Sequence, residues 1–177
     1  MINQGYPFSK VGYREFNQNC YLKLHKFKFK NKFGQVYNTV VEEYCNKIYI
    51  IKFHLAIHKS HPNKYKYIVN NRDPFRVIRT SFDIALKILE DSPTASFGFI
   101  GCQSEKKPNE KNQVNTQRFR IYKYITSNYF GYLGFTHSTS KEHSAYLLIN
   151  NFHKDVAKFN SEAIDIFKNI YPTLDGL

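Results

Sequence analysis

The sequence predicts an α+β fold: N-terminal antiparallel strands, about four, followed by α-β-α-β-α, with the helices packed on one mixed sheet. Three observations predict it. Residues 20–58 hold runs rich in β-branched and aromatic side chains, one alternating Lys with Phe. The stretches after Asp73, Thr116 and Asn160 repeat apolar residues at helical spacing. Two short apolar runs, 95–100 and 144–149, fall between those stretches.

In chain order, residues 1–19 are polar and aromatic with two Gly and one Pro, and read as an irregular leading segment. In the strand over 20–30, Lys26, Lys28 and Lys30 share one face, and His25, Phe27 and Phe29 the other. Residues 31–38, with Gly34, read as a turn. Thr39–Cys45 and Lys47–His58 read as strands around a turn at Asn46, with a short helix in 36–45 as the alternative. Lys64–Asn70 reads as a fourth strand.

Asp73-Pro74 is a helix start, an N-cap with Pro at the first helical position, and the helix stops near Asp91 before Ser92-Pro93. Residues 103–117 hold Val114 as their only apolar side chain and read as an exposed loop. Asn115 or Thr116 caps the next helix, whose buried stripe includes Phe119, Tyr122 and Ile125 and which Gly131 and Gly134 end. Asn160-Ser161 caps the last helix, through Ala163, Ile164 and Phe167. No linker or repeat interrupts residues 1–177, which read as one domain able to bury a core without disulfides or metals.

Charge is the strongest compositional signal. The chain carries 26 Lys/Arg against 14 Asp/Glu, a net of +12. Residues 1–79 hold 15 basic and 4 acidic side chains, a net of +11, and residues 80–177 hold 11 and 10. This asymmetry points to a polyanion or an acidic protein as partner. The plain alternative is charge that only aids solubility. The 16 Phe and 14 Tyr are in excess, but Lys, Asn, Ile, Tyr and Phe are also what AT-rich codons favour.

Several classes are excluded. Three cysteines, Cys20, Cys45 and Cys102, without C-x-x-C spacing, make a poor disulfide framework and a poor zinc site, which points to a reducing cytoplasm. No signal peptide is apparent, and the longest apolar run, Ile48–Ile57, is too short to span a bilayer. No D-x-D, H-E-x-x-H, G-x-S-x-G, P-loop or dinucleotide fingerprint occurs. No cofactor and no metal are implied.

From Asp73 onward the chain resembles small bacterial domains of unknown function. In them a helix leads to an apolar strand ending in Gly, then a loop and a helix opening Arg-x-Arg-hydrophobic-Tyr. Phe97-Gly98-Phe99-Ile100-Gly101 and Arg118-Phe119-Arg120-Ile121-Tyr122 carry the likeness. It implies an architecture rather than an activity. Phe97–Tyr122 is also similar in order to the strand-loop-helix of GNAT-type acetyltransferases, where backbone amides hold the pyrophosphate of acetyl-CoA. No Gly lies between Gly101 and Gly131, where such a cradle wants several.

The candidate phosphate-binding residues fall in three groups. Arg118 and Arg120 open one helix, where the dipole favours acids over bases, and with exposed N–H groups they would suit an anion. Arg72, Arg76 and Arg79 cluster at the start of another. If the two helix starts lie on one edge of the sheet, they form one phosphate-binding surface. Lys26, Lys28 and Lys30 line a strand face suited to tracking a phosphate backbone. For each group the plain alternative is a solvated or locally paired cation.

The candidate catalytic residues are His54 and His58, on one strand face beside Lys52, and Tyr122 of the Arg-x-Arg motif. A metal-independent ribonuclease needs a general base and a cation at the phosphate, which this strand face would supply. A strand places the two His about 13 Å apart, too far to share a metal. The plain alternative is a half-exposed strand face. Cys102 reads as an inert thiol, and His137 and His143 as flanking a polar loop.

The expectation is a basic cytoplasmic protein that interacts with nucleic acid, RNA before DNA, in a toxin-like or phage-defence role with ribonuclease activity. The alternatives are a module that binds an acidic protein, and a GNAT-like acyltransferase or other small-molecule transferase.

Overall fold

A computed structural model of the chain describes residues 4–18, 20–65, 73–100, 117–131, 133–140, 145–153 and 155–170. Seven strands form one mixed sheet: β1 (Phe8–Gln18), β2 (Tyr21–Lys30), β3 (Val36–Tyr44), β4 (Ile48–Leu55), β5 (Ser96–Ile100), β6 (Phe135–Ser140) and β7 (Ala145–Asn150). Their order across the sheet is β1-β2-β3-β4-β5-β7-β6. Strands β1 to β4 form an antiparallel meander, β5 joins β4 in parallel, and β7 and β6 close the far side antiparallel. The helices are α1 (Pro74–Asp91), α2 (Gln117–Tyr129) and α3 (Val156–Ile170).

Alternation along the strands divides two cores. Phe27, Phe29, Tyr37, Val41, Tyr49, Ile51, Phe53, Phe97, Phe99 and Leu148 face α1 and α2. Phe82 of α1 is fully buried there and stacks on Phe99, with ring centroids 4.1 Å apart. Ile48, Ile50, Leu147 and Ile149 point to the opposite face, where Phe159 and Ala163 of α3 cover them. Central strand β5 is therefore buried over Ser96–Phe99 and apolar after Ser96. Among the described residues, no helix is long and apolar enough to cross a membrane.

The α+β class and the N-terminal antiparallel strands stand, but the element order differs. The meander begins at Phe8, inside the segment read as irregular, because a register shift between Lys10 and Gly12 breaks the period-two pattern. Of residues 36–45, Val36–Tyr44 form a strand, not a helix, and Cys45 opens a 3-10 turn. Lys64 and Tyr65 lie in a turn, and the rest of the strand expected over 64–70 lies outside the described residues. The chain after Leu55 runs α-β-α-β-β-α, because Phe135–Ser140 forms an edge strand in a stretch too polar to signal one.

Helix α3 starts four residues before the expected Asn160-Ser161 cap. Asp155 caps it, accepting from the backbone N–H of Lys158 at 2.9 Å. Asp73 holds the cap position of α1, but its carboxylate accepts the Tyr6 hydroxyl at 2.6 Å instead of capping the helix. The loop expected over 103–117 lies outside the described residues except for Gln117, which opens α2.

Candidate nucleic-acid interface

The sheet face away from α1 and α2 is divided in two. Helix α3 covers the part made by β4 and β7 and reaches Tyr44 of β3, with Tyr21 of β2 packed against the same cluster; among the described residues no helix covers the rest of β1, β2 and β3. On that open part Lys26, Lys28 and Lys30 are all exposed, while Phe27 and Phe29 between them are 5% and 4% exposed in the core. A rise of about 3.3 Å per residue spaces the lysines at ~6.6 Å along the strand. No described carboxylate lies within ion-pair distance of any of the three.

Cross-strand register supplies the neighbours. Lys28 lies between Ser9 of β1 and Asn38 of β3, and Lys26 between Gly12 and Val40. Arg14, opposite Leu24, is exposed on the same face. Its guanidinium lies 5.0 Å from the ring centroid of Phe16. Phe16 stacks on Tyr21 at 4.5 Å, and Tyr21 on Tyr44 at 5.2 Å, so three aromatic rings run across the strands at one end of the lysine row. Glu42, an acid within this face, is held by Lys52 at 2.5 Å and accepts the Tyr44 hydroxyl at 3.1 Å. Burial and then the Glu42 charge push the Tyr21 phenol up to about 12, against a smaller opposing effect of Arg14.

The other expected site residues are placed apart from this face or put to other use. Arg79 is 5% exposed; its Nε donates to Asp83 at 2.8 Å, and its guanidinium lies 3.5 Å from the Tyr129 ring centroid. The second Asp83 oxygen accepts from the Gly5 backbone N–H at 2.7 Å. Arg76 lies 4.3 Å from the Tyr6 ring centroid, and Tyr6 stacks on Phe29. These two arginines thus bind the leading segment and α2 to α1.

Arg120 is exposed in the first turn of α2. Phe75, at the start of α1, meets Tyr124 of α2 edge-on at 5.6 Å, so the two helices are neighbours there. They lie on the covered side of the sheet, opposite the lysine row. Arg118 is the second residue of α2, and its side chain is outside the described part, as is Arg72 altogether.

His54, His58 and Tyr122 are not brought together. Strand β4 ends at Leu55, so His58 falls in a 3-10 turn over Ala56–His58 rather than on the strand. His54 is 5% exposed; its Nδ1–H donates to the Leu55 carbonyl at 2.8 Å, and its ring meets Tyr65 edge-on. Burial lowers the His54 pKa below the usual 6.5, and the Lys64, His58 and Lys59 charges lower it further, against the Leu55 hydrogen bond. Tyr122 is 1% exposed between Phe82 and Phe99, on the opposite side of the sheet from His54.

Sequence reasoning missed Ser9, Arg14, Phe16 and Tyr21 as parts of this face. The signal was the Arg-x-Phe and Tyr pattern flanking the Asn-Gln-Asn turn signal at 17–19, a hairpin that the unread strand β1 hid. No protein-family model matches the chain, no curated protein matches it, and no solved structure matches it. The resemblances noted above therefore rest on their short motifs alone.

Proposed function

We propose that this chain binds single-stranded nucleic acid, RNA before DNA, across the open face of β1, β2 and β3. The observation that carries the reading is the row of Lys26, Lys28 and Lys30, all exposed on a sheet face that no described helix covers there, while the residues between them anchor the core. A core needs only the Phe positions. It does not require three cations in register on the other side.

Two further features favour a single strand over a duplex. The row lies along one strand and ends at the Phe16–Tyr21–Tyr44 stack, in which Phe16 and Tyr21 are half-buried rather than sealed. A sheet with basic side chains and neighbouring rings suits splayed bases, and it offers no helix for the major groove. The reading is one of binding: His54 lies on the lysine side of the sheet, across Asn38 from Lys28, but is buried, and Tyr122 lies in the core on the other side, so neither is open to a bound strand as a general base.

Labelled single-stranded RNA, single-stranded DNA, duplex DNA and tRNA, titrated with the protein at low and moderate salt, test it. The reading expects binding strongest for single strands and weakened by salt. Salt-insensitive binding, or no binding at low salt, contradicts it. In that case an acidic protein, the rival partner for a face of this charge, is the next ligand to assay.

A further inference from the structure

Cys20 and Cys45, which the spacing of the cysteines does not mark as a pair, are joined by a disulfide with Cα atoms 5.0 Å apart, inside the range such a bond requires. Cys20 precedes β2 and Cys45 follows β3, one position beyond the Tyr21–Tyr44 pair. The Cys45 backbone N–H donates to the Cys20 carbonyl at 2.8 Å, continuing the ladder. Asn46 and Lys47 then take left-handed backbone, with φ of 60° and 56°, which turns the chain sharply into β4. Both cysteines are half-buried rather than sealed in the core.

Each cysteine adjoins a tyrosine of the aromatic stack in sequence: Cys20 comes just before Tyr21, and Cys45 just after Tyr44. We infer that Cys20 and Cys45 are a reversible thiol–disulfide site whose oxidised form holds Tyr21 and Tyr44 in register and so sets the affinity of the open face for its polyanion. The second half of this inference rests on the binding reading above, and the first half does not.

The exchange partner is a small disulfide of the glutathione class. One cysteine thiolate attacks it, forms a mixed disulfide and releases one glutathione thiolate. The other cysteine thiolate then displaces the second glutathione and closes the Cys20–Cys45 bond. Two cysteine thiols are oxidised, two glutathione thiols form, and the two protons pass to them. Reduction reverses each step. The staple closes a loop across a sequence separation of 25 residues, so opening it lowers the melting temperature by about 10 °C. Loss of a fixed stacking platform weakens binding about tenfold.

The experiment uses the full chain carrying Cys102→Ser, which leaves only the pair. The protein is equilibrated at graded ratios of reduced to oxidised glutathione. Thiol trapping reads the fraction oxidised, thermal melting reads the staple, and single-stranded RNA titration reads the face. The expected result is a graded transition in trapped thiols, with melting temperature and affinity falling together on reduction. Cys20→Ser and Cys45→Ser each match the reduced protein, and reducing the Cys102→Ser protein gives the same comparison without a further substitution. A pair that stays oxidised, or stays reduced, at every ratio overturns the reversible site. A graded thiol transition with unchanged RNA affinity overturns the control of binding. A graded transition in thiols and melting with no RNA binding in either state overturns the binding reading and leaves the redox pair standing.

Discussion

The Phe29 ring stacks on Tyr37 with centroids 4.9 Å apart and planes 4° from parallel, while the adjoining Lys28 is exposed on the other side of the sheet. One strand thus serves the core with one set of residues and solvent with the next.

That division predicts a clean separation of effects along β2. Phe29→Ala removes a ring that is 4% exposed and stacked on both Tyr6 and Tyr37, and costs about 3–5 kcal/mol. Lys28→Ala, one position away, changes stability by less than ~0.5 kcal/mol. Urea midpoints at constant m-value check both.

The Arg79–Asp83 pair holds the leading segment as well as α1, because Asp83 also accepts from Gly5. Arg79→Ala leaves the half-buried Asp83 carboxylate without its cation and costs about 2–3 kcal/mol. Gly5→Ala places a Cβ 2.6 Å from both the Thr80 Cα and the Asp83 carboxylate, and costs about 1–3 kcal/mol. Denaturant titration reads both losses. RNA affinity measured well below the unfolding midpoint stays unchanged, since neither residue lies on the open face.

Stability has two pH limits, with signs fixed by the direction of the shifts. His54 and His137 are both lowered below 6.5, first by burial, so the unfolded chain takes up protons that the folded chain refuses. Their contribution is complete above about pH 6.5 and is lost as pH falls below it. His54→Asn flattens the fall in urea midpoint between about pH 7 and about pH 5. Burial first, and then neighbouring carboxylates, raise Tyr6, Tyr21, Tyr44 and Tyr49 above 10.0. The unfolded chain therefore loses these protons first, and stability falls as pH rises past about 10. Tyrosinate absorbance shows these rings ionising late and together with unfolding.

What the sequence made legible was local. Lys26 to Lys30 alternates without interruption, so both faces of β2 could be read directly. The Asp73-Pro74 start of α1 could be read too, yet not the use of the Asp73 carboxylate, whose partner Tyr6 is 67 residues away. Strand β1 was hidden by its own bulge, and with it went Arg14 and Phe16. Asn160-Ser161 has the chemistry of a cap but sits inside α3, because Asp155 already satisfies the first turn. Arg76 and Arg79 carry the charge of a phosphate site, but tertiary packing commits them to Tyr6, Asp83 and Tyr129. The Cys20–Cys45 pairing depends on strand register, which no cysteine count contains.

The most direct test of the open face is the salt dependence of single-stranded RNA binding by the Lys26→Ala/Lys28→Ala/Lys30→Ala variant beside the unsubstituted chain. If the lysine row contacts the phosphates, affinity falls at low salt and the slope of log affinity against log salt becomes shallower by about 2, near 0.7 for each lost contact. The melting temperature stays within ~2 °C, since all three side chains are exposed. An unchanged slope with the fold intact contradicts the account and moves the binding surface away from β2.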